Sequence, residues 1–473
     1  MSAPDAIVVG SGPNGLAAAV ALGEAGLGVL VRERNAELGG GARTLPLTLP
    51  GFLHDHCSAI HPLAVGSPFL RRLPLAAHGV EWIHPPAAAA HPFDDGTAAL
   101  LVRSTAETGE TIGPDARAWR ALLDPLAASF EDLLDEALGP MLHVPRRPLL
   151  LARFGLSALL PAAVLARARF RGPRARALFA GLAAHAQLPL DASPGAAFAL
   201  VLGAAAHAVG WPFPRGGAGK IAAALAALVR ERRGRIETGV EVTSLSGLPP
   251  TGATLLDVTP RQLLRLAGDR LPEPYARRLA AFRYGPGAFK VDYALSGPIP
   301  WRARDCARAG TVHLGGTLEE IQAGEAAVAR GELPERPFVL LAQPSLFDPD
   351  RAPPGRHTAW AYCHVPNGAA VDLTAAIERQ IERFAPGFRE LILARAVRDP
   401  AALERDDPNL VGGDVGGGAN TLLQTLFRPA PRLVPWSTPL PGVFLCSAST
   451  PPGGGVHGMC GWHAAQAALR ALG

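Results

Sequence analysis

The chain has 473 residues, 48% of them apolar and 18% charged, with 45 Lys and Arg against 41 Asp and Glu for a net charge of +4. This composition is that of a core-rich globular protein of about three domain-sized units; it excludes a disordered chain and offers no basic face to nucleic acid. Five cysteines with no CxxC pair exclude a disulfide framework, a zinc site and a thiol redox couple. No basic stretch precedes an apolar one at the start, and the longest uncharged apolar run, 154–166, is interrupted by Pro161 and too short for a bilayer. A cytoplasmic protein is therefore expected.

In chain order, residues 6–9 read as a buried strand, 10–15 as a glycine-rich turn, 16–24 as a helix stopped by Gly26, and 28–31 as a second strand. Residues 113–137 carry helical spacing, with Trp119, Leu122, Leu123, Leu126 and Phe130 on one side. From 137 to 190 there is no acidic residue, while arginines recur at 146, 147, 153, 167, 169, 171, 174 and 176 among Leu, Ala and Phe. That stretch reads either as Arg-rich helix surfaces over a core or as a peripheral contact with anionic lipid beside the mouth of an apolar channel. Residues 216–230 read as a helix, 235–245 as a strand pair about a Thr-Gly turn, and 290–295 as an alternating strand. After a glycine-rich loop at 412–418, residues 443–446 are a strand, 447–461 a loop and 462–472 a closing helix. There is no internal repeat.

The turn VVGSGPNG places Gly10, Gly12 and Gly15 in the G-x-G-x-x-G spacing of a dinucleotide fingerprint, between a strand and a helix. Gly10 permits the tight turn, Gly12 lets backbone approach a pyrophosphate, and Gly15 lets helix and strand pack closely. The helix N-terminus turns free N–H groups toward the phosphates. Glu33, ending the second strand, suits a ribose diol and disfavours a 2′-phosphate. The next segment favours FAD over NAD. Gly39 and Gly40 allow another close backbone approach, Arg43 suits a diphosphate, and the loop GGGVHG at 453–458 leads into a helix whose N-terminus would stabilise negative charge on a reduced flavin ring. No second fingerprint exists for a nicotinamide domain.

With these residues in view, the chain resembles the phytoene desaturase-like branch of the flavin-dependent amine oxidase superfamily, nearly end to end. The likeness is carried by VVGSGPNG, by 38–62, by GWPFPRGG (210–217), by YGPGAFKVDYAL (284–295), by LVGGDVGGGANT (410–421) and by FLCSASTPPGGGVHGMCGWHAA (444–465). The resemblance implies an α/β fold in which a Rossmann-type FAD-binding domain, pieced from 1–80, 205–265 and 430–473, carries an inserted α+β substrate domain of antiparallel sheet and helices at 81–204 and 266–429. It implies contacts to FAD from Pro13, Asn14, Arg34, Gly455, Val456 and Gly458, and from the backbone of Val242. At 6% aromatics the chain is poorer in rings than a carotenoid tunnel would require.

Only Lys220 and Lys290 are lysines, every other side-chain cation of the Lys and Arg set being arginine. In FKVDYAL, alternation puts Lys290 and Asp292 on the face opposite Phe289, Val291 and Tyr293. The superfamily often sets such a lysine near flavin N5, so Lys290 is a catalytic candidate; the bland reading is a Lys290–Asp292 pair on an exposed sheet face. His457, within the last glycine loop, is the second candidate, as a proton shuttle near neutral pH. Asp414 is a candidate to face the cavity. His54, Asp55, His56 and His61 match no metal template, and no metal is expected. The expectation is an FAD-dependent oxidoreductase that desaturates or isomerises an apolar or amphipathic small molecule, with oxygen or a quinone as electron acceptor. The alternatives are an amine oxidase, which an aromatic pair in the cavity would favour, and a non-catalytic prenyl or lipid escort of the same fold.

Overall fold

The computed structural model describes residues 3–140 and 143–473, so residues 141 and 142 of the expected lipid-contact stretch lie outside the described residues. Five strands form an all-parallel sheet, in the order Val443–Leu445, Ala253–Leu256, Ala6–Val9, Val29–Arg32 and Arg235–Glu237. The strand Ala6–Val9 is buried throughout, as an unbroken apolar run requires when helices cover both faces. The helix Pro13–Glu24 follows it with Pro at its first position, where a missing N–H costs nothing. The closing helix Met459–Leu472 lies against it at a glycine: a Cβ at Gly461 would overlap the backbone of Asn14 and Ala18.

A second, seven-stranded sheet runs in the order Ile392–Arg398, Gly287–Leu295, His357–Val365, Val339–Ala342, Ala309–Leu314, Ala87–Pro92 and Ala98–Leu101. It is antiparallel except where Ala309–Leu314 runs beside Ala87–Pro92. Helix Pro173–Ala184 packs on this sheet and Gly195–Ala208 packs on that helix, both rich in buried alanine. The protein is thus α/β, a Rossmann-type parallel sheet joined to an α+β part.

Two expectations need correcting. The helix over 113–137 is broken at Ser129 into Ala116–Ala128 and Phe130–Ala137, and Pro125, which has no N–H to give, lies in the turn before the break. The strand pair over 235–245 reduces to the single strand Arg235–Glu237; the amides of Gly239 and Val240 instead donate to the carbonyls of Asn35 and Glu33. Over 137–190 the arginines lie at the surface, as expected, and some of the leucines between them lie there too. Helices Pro148–Ala158 and Ala162–Arg169 meet at 98°, and Leu149 (87% exposed) and Leu156 (80%) stand in solvent beside exposed Arg146, Arg147 and Arg153. Among the described residues no single helix is long and apolar enough to cross a membrane.

Candidate functional site

One cavity of about 650 Å³ begins at the glycine turn and continues to the face of the seven-stranded sheet. At the first end it is lined by Gly10, Gly12, Pro13, Asn14, Glu33, Arg34, Gly40 and Val242. A side chain on Gly12 would meet Asp257 Oδ2 at 2.6 Å, so the turn must be bare backbone. Glu33 is buried and already accepts from the Ser11 amide at 2.9 Å, the Ser11 hydroxyl at 2.7 Å and the Asn35 amide at 2.8 Å. Two oxygens with about four acceptor sites leave room for one more donor, as a ribose hydroxyl would be. Asn14 Oδ1 is buried there with no partner among the described residues. Bare backbone, one spare acceptor position and an orphaned polar atom beside a helix N-terminus fit a dinucleotide.

Asp257 was not singled out by sequence. It opens the passage from strand Ala253–Leu256 to helix Pro260–Ala267, and its Oδ2 accepts the Gly15 amide at 2.9 Å, a carboxyl group held at the N-terminus of helix Pro13–Glu24. Burial pushes its carboxyl up to about 7, against that hydrogen bond, with Asp407 and Glu33 adding repulsion. The signal available was only an acid directly after a buried strand.

At the other end Lys290, Thr311, Leu340, Trp360 and Tyr362 from the sheet face Ile60, His185, Leu202 and Trp211. Lys290 is 3% exposed, and its Nζ donates to both Asp292 oxygens at 2.5 Å and to the Asp55 carbonyl at 3.1 Å. The pair expected with Asp292 therefore exists, but on a buried face that opens to the cavity. Arg398 Nη1 and His54 Nδ1 also stand 3.5 Å and 3.6 Å from the Asp292 carboxylate. Burial pulls the Lys290 pKa down while Asp292 pulls it up, and the net direction is down. Trp360 and Tyr362, two residues apart on one strand, stack at 5.7 Å and 21°.

Several candidates lie elsewhere. His457 does not line the cavity: its Nδ1 accepts the Met459 amide at 3.0 Å, capping the closing helix, and its carbonyl accepts the Ser67 hydroxyl at 2.6 Å. Burial lowers its pKa to about 4, so it is neutral at pH 7 and unsuited to shuttling protons there. Arg43 also leaves the cavity, drawn to the carbonyls of Gly40 at 2.9 Å and Asp406 at 3.0 Å, where it fixes the loop. Gly39 and Gly458 likewise do not line it, being packing positions against Ala222 and Ala17 respectively. Gly15 is under the turn, where a Cβ would strike the Gly10 carbonyl. Gly455 and Val456 do line the cavity, whereas Asp414 is sequestered by the amides of Gly285 at 2.8 Å and Gly416 at 2.7 Å. Val242 reaches the cavity from a loop rather than a strand. Among the described residues no cluster could hold a metal ion.

Residues 8–73 match the family described as NAD(P)-binding Rossmann-like domain. Over 99% of its length the chain is 28% identical to pyridine nucleotide-disulfide oxidoreductase domain-containing protein 2 of Mus musculus, of which 94% is covered. It is 27% identical to the hydroxyneurosporene desaturase of Cereibacter sphaeroides, over 99% of this chain and 98% of that one. Among solved structures, an oxidoreductase from Methanosarcina mazei is similar with a TM-score of 0.67 at 16% identity, covering 98% of this chain and 99% of that one. A putrescine oxidase bound to putrescine is similar with a TM-score of 0.61 at 18% identity, covering 99% and 98%. Fold and site together define a dinucleotide-binding oxidoreductase enzyme with the architecture of the flavin amine oxidases. Within that class the chain resembles the phytoene desaturase-like branch along nearly its whole length.

Proposed function

We propose that the protein is an FAD-dependent oxidoreductase that dehydrogenates, or isomerises, an apolar or amphipathic small molecule. The observation that carries this reading is a continuous cavity that joins the glycine turn to a largely apolar chamber over the second sheet. Gly10, Gly12, Pro13, Asn14, Glu33, Arg34, Gly40, Val242, Gly455 and Val456 would hold the cofactor, since each lines that cavity. When bound, FAD supplies a hydride acceptor at N5, with oxygen or a quinone as final oxidant.

The chain's own contribution is positioning, dryness and charge. Leu202, Leu340 and Trp211 exclude water and orient an apolar substrate. Lys290, held by Asp292, keeps a proton at Nζ beside the chamber, and its lowered pKa makes that proton easier to move. The aromatic pair Trp360–Tyr362 favours a second reading, an amine oxidase. The escort alternative needs no dinucleotide site and is disfavoured by the intact turn with Glu33. The exposed leucines of 148–158 set among arginines support a peripheral contact with an anionic lipid surface as the route by which an apolar substrate arrives.

The test is the visible spectrum of the purified protein, before and after denaturation and filtration. A flavin spectrum that passes the filter is the expected result, after which anaerobic bleaching by apolar alkenes or by primary amines separates the two enzyme readings. A colourless protein that takes up no added FAD overturns both and leaves the escort.

A further inference from the structure

The register of the second sheet sets four side chains in one row. Lys290 pairs with Tyr362, Tyr362 with Leu340, and Leu340 with His313. Directly paired residues share a face, and strands lie about 4.8 Å apart, so Lys290 and His313 stand roughly 14 Å apart on the same floor. Lys290, Tyr362 and Leu340 line the cavity, whereas His313 is fully buried beneath His185, which does line it. The two imidazoles meet with Nε2 to Nε2 at 3.1 Å, and Trp211 packs edge-on against His185 at 5.6 Å. The apolar path that starts at Lys290 therefore ends on a polar ring.

Which hydrogen that ring presents follows from its partner. Burial drives His185 to about 3 and His313 well below the usual imidazole range, so both rings are neutral and one Nε2–H donates to the other. His313 Nδ1 is buried, has no partner among the described residues and sits under Gly181, where a Cβ would lie 2.7 Å from it. An orphaned buried N–H is rarer than an orphaned acceptor. His313 thus carries its hydrogen on Nε2 and donates to His185 Nε2, which leaves the proton of His185 on Nδ1.

We propose that His185 is a substrate-binding residue whose Nδ1–H donates to a carbonyl oxygen of the substrate, above His313, which stands about three strand spacings from Lys290. His313 is its positioning residue. The inference deepens the proposed function and rests on that reading only for the identity of the reacting end. The substrate class becomes an apolar skeleton carrying a carbonyl at the end remote from Lys290.

The experiment titrates the purified protein, with whatever cofactor it holds, against undecan-2-one and undec-1-ene, reading tryptophan fluorescence. That signal does not require flavin, so a colourless protein fails the earlier test without silencing this one. The native protein is expected to bind the ketone about tenfold more tightly than the alkene, the worth of one neutral hydrogen bond. His185→Phe should erase the preference and His185→Gln, which keeps a donor, should retain most of it. No preference in the native protein, or a preference that survives His185→Phe, overturns the proposal. Imidazole ¹⁵N spectra of the native protein, needing no folded variant except to assign the peak, should show His185 protonated on Nδ1; the Nε2–H tautomer would also overturn it.

Discussion

Replacing Gly461 by alanine sets two effects of opposite sign against each other. Gly461 is inside the closing helix, where the change removes backbone entropy from the unfolded chain and gains about 1 kcal/mol of helix propensity. The new methyl, however, would overlap the Asn14 carbonyl and stand 2.9 Å from the Ala18 nitrogen. Overpacking costs about 1–3 kcal/mol, and here the upper end applies because the atoms struck are backbone and cannot change rotamer. The net expectation is a loss of about 2 kcal/mol after the propensity gain is subtracted at its low end. The strain falls on the first turn of Pro13–Glu24, where Asn14 lines the cavity. If that turn yields in the empty protein and must be restored on binding, 2 kcal/mol raises the FAD dissociation constant about thirtyfold. Quenching of FAD fluorescence on titration and a thermal melt read both quantities. Gly155→Ala is the matched control: also helical, with nothing within 4 Å of its Cβ, it should stabilise by about 1 kcal/mol and leave FAD binding unchanged. If Gly461→Ala is at least as stable as the native protein and binds FAD equally well, the packing argument is wrong.

Three further outcomes follow from the same geometry. Asp257, raised from 3.8 to about 7, contributes stability in full below pH 3.8 that is lost as pH rises through 7, and its charge then opposes a pyrophosphate; FAD affinity should fall several-fold between pH 6 and 8, and Asp257→Asn should flatten that profile in titrations. Lys290→Met leaves the fully buried Asp292 with Arg398 and His54 at 3.5 Å and 3.6 Å, and should cost about 3 kcal/mol in urea unfolding at pH 7, most of it recovered by adding Asp292→Leu; a loss below about 1 kcal/mol would refute the role of the pair. The native protein should sediment with vesicles containing phosphatidylglycerol but not with pure phosphatidylcholine, and Leu149→Asp with Leu156→Asp should abolish the association; equal sedimentation of the double variant would remove the lipid contact.

What could be read from the sequence was what short-range chemistry dictates. The turn at 10–15 has glycines where backbone crowding requires them, and the strand 287–295 alternates because one face packs on Phe388 and its neighbours while the other opens to the cavity. What could not be read depends on partners far along the chain. His457 sits in the right loop, yet its orientation is set by Ser67 and by the first turn of the closing helix. Arg43 donates to the carbonyl of Asp406, far along the chain, and does not line the cavity. His185 has no local signature at all, because its neighbour His313 lies on a strand more than a hundred residues away. The strand His357–Val365 was not read from the sequence, and only the sheet order sets its Trp360 and Tyr362 beside Lys290.

The parallel sheet takes its strands from residues 6–9, 29–32, 235–237, 253–256 and 443–445, and the helix Pro13–Glu24 leans on 459–472. During synthesis, then, the nucleotide pocket opened by the first dozen residues stays unfinished until residues 459–472 have left the ribosome. The early strands must wait through most of translation with their edges unpaired, the situation in which chaperones are engaged and aggregation competes. Cofactor capture is on this account an event after translation, and a premature stop anywhere before residue 443 should yield no partially active fragment, however much of the chain it retains.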